Sequence, residues 1–557
     1  MDFYPKHYTS IQFKFIDTRM AGRDMLKRPD IIIVGAGFAG MYMLHRARQL
    51  GFRATVIEAG SGVGGTWYWN RYPGARCDVE SMSYSYSFSE ELQQEWVWPD
   101  RYAAQPDILR YANHVADRFD LRRDISFNTR VTAARFDESQ NLWEVSTDHS
   151  GLFRARFLVM ATGCLSVPKA PDIPGLKNFQ GRVLHTADWP LDGVDFSGHD
   201  VGIIGTGSSG IQSIPLIARQ ARRLTVFQRT PNFSIPAWNG PLSLERQAEM
   251  KQNYKALRAK SRNSYAGDYA DEYVVSILEL SPEQREAQFE KRWRAGGFNY
   301  QYAFSDLMDN PQANQLAAEF VRNKIRSIVK DPKTAEILCP KDHPFGAKRL
   351  CVDTGYYETY NRENVSLVDI RSNPITEMTA DGLRTQKNSY RFDTLVLATG
   401  FDAMTGALTR IDIRGREGVS LKDQWRNGPQ AYLGVAIAGF PNMFIITGPG
   451  SPAVLANMVL AIEQHVEWID GLLAHAKANA ATTIEADGAA QERWARQVTE
   501  SADRTLYPKA ASWYLGANVP GKPRVFMPYV DGFNVYSRTC EKIAAAGYEG
   551  FSLAKAA

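Results

Sequence analysis

Gly35, Gly37 and Gly40 form a GxGxxG turn, and Gly205, Gly207 and Gly210, with Ser208 and Ser209 between them, form a second. In such a turn the first glycine permits the tight bend, the second lets backbone approach a pyrophosphate, and the third lets the helix sit close to its strand. Glu58 stands where a carboxylate accepts hydrogen bonds from an adenosine ribose after the first turn. No acid occupies the matching place after the second. Arg229 and Thr230 are there instead, a fork of donors and a hydroxyl suited to a 2′-phosphate, so the second site is expected to prefer NADP(H). A further glycine run, Gly62 to Gly65, leads into Thr66, Trp67, Tyr68 and Trp69. An extended cofactor must pass beyond the ribose acid in this way, which favours FAD over NAD at the first site. Asp78 closes that aromatic stretch; a carboxylate in such a setting wants a cationic partner, the alternative being a solvated loop acid. Lys348 and Arg349 fall outside any helical period and read as loop cations, either surface decoration or a pair aimed at a nicotinamide cofactor's phosphate and at a flavin.

The elements that must position these residues follow from periodicity. Ile31–Val34 is a short β-branched run of the kind buried in a parallel sheet, followed by a helix through Leu50, a Gly51 cap and a strand at 54–57. An amphipathic stretch from Ile108 to Phe119 precedes expected strands at 125–131 and 143–146. The strand at 156–163 ends in Ala-Thr-Gly, and residues 390–400 nearly copy it. Strands at 201–204 and 224–227 flank the second turn. Residues 242–330 turn charged and helical, as a solvated insertion would. After a strand at 444–446, Gly448 to Pro452 breaks into Ala453, Val454 and Leu455 and then a helix from about Met458. Trp513 sits in a turn-rich stretch near the end. The fold class expected is α/β: two Rossmann-like dinucleotide-binding domains, for FAD and NADP, with a helical insertion in the NADP domain. The boundaries expected are 1–165 and 391–557 for the FAD domain and its C-terminal loop, and 166–390 for the NADP domain with its insertion at about 240–335. Residues before Asp30 read as a surface extension.

Composition narrows the function classes. With 65 basic and 61 acidic side chains among 557 residues, the net charge of +4 comes without a block of like charge, which argues against a nucleic-acid partner. No apolar run approaches the roughly 18 residues of a membrane span, and the N-terminus lacks signal-peptide order, so a cytoplasmic location is expected. Five cysteines without a CxxC pair and nine histidines without a ligand spacing argue against a disulfide framework, a dithiol and a metal site. Redox chemistry here must be carried by an organic cofactor.

Between the two turns runs a connector whose Phe179, Gly181, His185 and Trp189 suit neither a helix face nor a strand face. They match the FxGxxxHxxxW fingerprint, and with GTWYWNRYPGARCD, QRTPN, KRLC, GPGSP and WYLGANVPGKPR the chain resembles the type I Baeyer–Villiger monooxygenases, most of all their phenylacetone and steroid monooxygenase branch, from about Asp30 to Ser537. The resemblance implies a flavoprotein that oxidises ketones to esters or lactones with NADPH and O2 through a flavin C4a-peroxide. It implies that Arg349 stabilises that anion, that Asp78 positions and tunes it, and that Lys348 joins Arg229 and Thr230 on the 2′-phosphate. Trp513 is then expected to close over the nicotinamide ribose, and Glu58, Gly65, Thr66, Trp67, Tyr84, Val131 and Met458 to contact FAD. Ala453, Val454 and Leu455 become the substrate loop, and His185 and Trp189 couple domain movement to nicotinamide position. The oligomeric state stays open, a monomer included. Two alternatives remain: a flavin monooxygenase oxygenating amines or sulfides, in which another residue typically stands at Trp189, and a non-catalytic nucleotide sensor.

Overall fold

The computed structural model describes residues 28–149, 151–270, 272 and 274–555; all but two residues of the expected N-terminal extension lie outside them. In chain order its central elements are Ile31–Val34 (β1), Phe38–Gln49 (α1), Ala54–Ile57 (β2), Ile125–Ser126 (β3), Phe157–Met160 (β4), Arg182–His185 (β5), Asp200–Ile204 (β6), Ser208–Gln220 (α2), Arg223–Gln228 (β7), Val365–Asp369 (β8), Thr394–Leu397 (β9), Met443–Ile445 (β10) and Met458–Ala478 (α3). Two five-stranded sheets result, in the orders β10-β4-β1-β2-β3 and β8-β7-β6-β9-β5. Every pairing in both is parallel. All four residues of β1 and all five of β6 are buried, as the central strands of sheets covered on both faces must be.

The two Ala-Thr-Gly strands are equivalents, one in each sheet. A methyl on Gly35 would lie 2.6 Å from the Ala161 carbonyl oxygen, and one on Gly205 2.3 Å from that of Ala398, so each strand ends hard against the first glycine of its turn. Thr394–Leu397 therefore belongs beside β6 in the second sheet, and a boundary at 390/391 would cut it from its partners. The crossings between the sheets run together: Met404 N–H donates to the Cys164 carbonyl at 2.8 Å, Asp402 N–H to Val167 at 2.9 Å, and Lys169 N–H to Gly400 at 2.9 Å.

Three further expectations are corrected. The connector is not irregular: residues 182–185 form β5, an edge strand paired with β9, which buries Leu184 and leaves Arg182 and Val183 outside. The strand expected at 125–131 is broken at Asn128, whose φ of 51° turns the chain, so only two residues join the first sheet and Val131 begins a strand of a separate, mixed four-stranded sheet. The charged segment is not merely a solvated face. Its helices Pro282–Ala295 and Pro311–Ile328 bury Phe289, Trp293 and Phe320 around Tyr300 in the second domain's core. None of the helices among the described residues is long and apolar enough to cross a membrane.

Candidate active site

Arg349 and Asp78 are 271 residues apart in sequence and meet between the two sheets' units. Arg349 Nε donates to Asp78 Oδ2 at 3.0 Å, and Nη2 lies 2.8 Å from both carboxylate oxygens. Its Nη1 donates to the Val454 carbonyl, and its guanidinium lies 4.6 Å from the Phe298 ring centroid. Burial opposes the charge, but Asp78 and then Tyr514 hold the Arg349 pKa above its ordinary value. Tyr514 is itself pushed up to about 12, by burial against the opposing pull of Arg349. With side chains 23% and 24% exposed, the pair is neither a surface bridge nor sealed off. A bidentate carboxylate and a carbonyl fix the plane of the fork. A cavity of about 450 Å³, lined by Asp78, Val79, Phe298, Tyr302 and Asp268 among others, opens beside it.

The Val454 carbonyl belongs to the stretch read as the substrate loop. Ala453 and Val454 are buried with Tyr507, Tyr514 and Phe526, and Leu455, Met458 and Trp513 pack against the same cluster. Both ends of the loop are fastened. Asn457 caps α3 through Val459 N–H at 3.1 Å and donates to the Ser83 carbonyl at 2.9 Å. Upstream, Thr447 N–H donates to His465 Nδ1 at 3.1 Å, which puts the ring proton on Nε2, facing the Tyr536 hydroxyl at 2.8 Å. Burial lowers the His465 pKa to about 4. The unfolded chain, titrating near 6.5, takes up this proton first as pH falls, so the contribution is full above about pH 6.5 and is lost between there and about 4. His465→Gln is expected to lose less stability than the parent across that window, by on the order of 3 kcal/mol, in urea titrations at a series of pH values. Parallel pH profiles for the two proteins would contradict this.

At the nucleotide turns, neither α1, after Gly37, nor α2, after Gly207, has a side chain capping its N-terminus. The first-turn N–H groups are thus available to an anion, as a pyrophosphate requires. Space around a Cβ at Gly207 is open, with nothing within 4 Å. Glu58, buried at the end of β2, accepts from Ala36 and Gly60 N–H, each at 2.7 Å, and keeps acceptor capacity for a ribose. Thr66, exposed, and Trp67 lie in the turn of helix after Gly65, and Trp67 Nε1 donates to the Tyr84 hydroxyl at 3.1 Å. Arg229 and Thr230 leave the carboxyl end of β7, and the Lys348 ammonium feels Asp342, Arg229 and Arg371 rather than Asp78. Consecutive Lys348 and Arg349 therefore serve different neighbourhoods. These residues fit FAD at the first turn and NADP(H) at the second.

The fingerprint residues hold the crossings. Gly181 has no room for a methyl, which would come within 2.4 Å of both the Asp393 oxygen and the Phe179 ring. Trp189 is buried beside Phe196. His185 Nδ1 accepts Ala187 N–H at 3.0 Å, so Nε2 carries the proton and faces the Lys169 carbonyl at 3.2 Å. Burial lowers the pKa of this imidazole, against the opposing pull of the Lys169 carbonyl and Asp188. Lys169 in turn donates its ammonium to the Asn518 carbonyl of the loop that carries Trp513.

Residues 32–291 match the family described as pyridine nucleotide-disulphide oxidoreductase, although the five cysteines are all free. A steroid monooxygenase bound to NADP is 53% identical and superposes with a TM-score of 0.91, over 95% of this chain and 100% of that one. A phenazine N-monooxygenase from Lysobacter antibioticus is 44% identical over 94% of this chain and 97% of its own length. A Baeyer–Villiger monooxygenase from Pseudooceanicola batsensis is 42% identical over 96% and 97%. The chain belongs to the type I Baeyer–Villiger monooxygenases. This Baeyer–Villiger monooxygenase is a flavoprotein oxidoreductase with FAD and NADP(H) as cofactors, and its reaction is the NADPH- and oxygen-dependent oxidation of ketones.

Sequence reasoning singled out Arg349 and Asp78 but missed what holds them. Phe298, like the Val454 carbonyl, carries no motif signal, because a face or a carbonyl is supplied by tertiary placement; Tyr514 lies in the WYLGANVPGKPR stretch, but nothing in that spacing shows that it faces Arg349. Lys169 was missed for the same reason. In this monooxygenase His185→Ala is expected to leave FAD content unchanged and to lower the ester formed per NADPH consumed by about fivefold, the effect of losing one neutral hydrogen bond. An unchanged ratio would remove the fingerprint histidine from the coupling.

Proposed function

We propose that Arg349 is the cation facing the reacting oxygen and that a ketone occupies the cavity beside it. The carrying observation is the threefold tether of its guanidinium to Asp78, Val454 and the Phe298 face. Bound flavin supplies the oxygen-activating chemistry. What this chain adds is orientation: Asp78 sets the plane of the fork, the substrate loop fixes one nitrogen, and Trp513 with Tyr514 keeps water from the apolar side. A preorganised cation stabilises developing negative charge without reorganising when the reaction occurs.

Glu58, Thr66, Trp67, Tyr84, Val131 and Met458 are read as FAD contacts, and Arg229, Thr230 and Lys348 as contacts of the 2′-phosphate. The FAD domain is read as residues up to about 165 together with those beyond about 400, and the chain as cytoplasmic. The cavity of about 450 Å³, with Val79, Tyr102, Leu242, Phe298 and Tyr302 among its lining residues, has room for a cyclic or aromatic ketone. Oxygenation of a ring nitrogen is the second reading, favoured by the 44% identity to the phenazine N-monooxygenase. Mass spectrometry of products from linear, cyclic, aromatic and steroid ketones, a sulfide and a phenazine separates the two. Esters from ketones support the first reading; heteroatom oxides without any ester overturn it.

A further inference from the structure

The carboxyl edge of the second sheet carries a basic residue that no motif marks. Strands β7 and β8 are parallel with Gln228 opposite Asp369, and Ile370 N–H still donates to the Gln228 carbonyl at 2.9 Å. Arg229 and Thr230 on one strand, and Arg371 on the other, therefore leave the sheet side by side, in the crevice where open α/β sheets take their ligands. Arg371 Nη2 lies 3.5 Å from Thr230 Oγ1.

Its main partner is Asp342, with which the same nitrogen forms an ion pair. The other oxygen of Asp342 lies 2.8 Å from His343 Nδ1, and the His343 ring is buried edge-on to Phe233. Lys348 feels this carboxylate and both arginines. The His343 hydrogen bond, against burial, and then Arg371 hold the Asp342 carboxyl well below its usual range. One anchored carboxylate thus sits among Arg229, Lys348 and Arg371, the place that an incoming phosphate would want.

We propose that Arg371 is a fourth ligand of the NADP(H) 2′-phosphate, held by Asp342 until the phosphate arrives. This rests on the reading of Arg229, Thr230 and Lys348 as the 2′-phosphate site. A phosphate monoester carries nearly two charges against the single charge of Asp342, and a guanidinium fork matches its oxygens. Arg371, 51% exposed, can swing without disturbing the core, whereas Asp342 is kept back by buried His343. NAD(H) has no group with which to displace Asp342, so the exchange sharpens cofactor selectivity as well as affinity.

Calorimetric titration of the FAD-loaded protein with NADP⁺, NAD⁺ and 2′,5′-ADP tests this without turnover. Arg371→Ala is expected to weaken NADP⁺ and 2′,5′-ADP about tenfold, as loss of a charged hydrogen bond does, and to leave NAD⁺ within about twofold. Arg371→Lys is expected to recover part of the loss. Asp342→Asn, with the competitor gone, is expected to bind 2′,5′-ADP several-fold more tightly; no tightening contradicts the holding role of Asp342. Unchanged 2′,5′-ADP binding in Arg371→Ala, or an equal loss for NAD⁺, overturns the role of Arg371. If Arg229→Ala alone weakens 2′,5′-ADP, only the inference fails; if neither variant does, the phosphate site itself has been misread.

Discussion

Arg349→Ala is expected to lower ester formation from a ketone by about 10² to 10³-fold, the 3 to 4 kcal/mol typical of one preorganised donor facing developing negative charge. The protein is expected to stay yellow, because the residues read as FAD contacts at the first turn are untouched. Arg349→Lys sharpens the test. Lysine keeps the charge but is a point donor, and cannot span both oxygens of Asp78 and the Val454 carbonyl as the fork does. Its rate is expected between alanine and the parent, well below the parent. Single-turnover ester yields from FAD-loaded proteins check both variants. A near-normal yield from Arg349→Ala would remove the arginine from the chemistry, and a parental yield from lysine would show that only charge matters.

Gly40→Ala is expected to give a protein that binds FAD at least a hundredfold more weakly, by about 3 kcal/mol of overpacking in the turn. The added methyl would come 1.8 Å from the Gly35 carbonyl oxygen, with backbone rather than a flexible side chain in the way. Either α1 moves off the strand or the turn opens. Gly210→Ala repeats the experiment in the second sheet, where the methyl would meet the Gly205 carbonyl at 2.2 Å. That variant is expected to keep its flavin and lose NADP⁺ binding. The flavin-to-protein absorbance ratio after purification, with NADP⁺ titration of whatever remains yellow, distinguishes the two. Two colourless proteins would mean that the sheets do not load their nucleotides independently.

Much of this architecture was legible because local rules dominate it. β1 and β2 were readable to the residue, since a β-branched run before a glycine turn has few other solutions. Arg349 and Asp78 were legible through motif context, but their pairing is a fact of tertiary structure. What failed did so where pairing decides the element. Residues 182–185 have no strand alternation of their own and are extended only because β9 offers an open edge. The boundary expected at 390/391 puts the Ala-Thr-Gly copy in the FAD domain, whereas its sheet is chosen by its register against β6. Arg371 stayed hidden because nothing local shows that β8 lies beside β7. The charged helices were misjudged because spacing hides how Phe289, Trp293 and Phe320 converge on Tyr300.

The most direct test of the central claim is one incubation of the FAD-loaded protein with a cyclic ketone, NADPH and ¹⁸O₂, followed by mass spectrometry of the organic product. A lactone carrying a single ¹⁸O atom, formed in proportion to NADPH consumed, is the predicted result. An unchanged ketone while NADPH is consumed, or a lactone whose added oxygen comes from water, would contradict it.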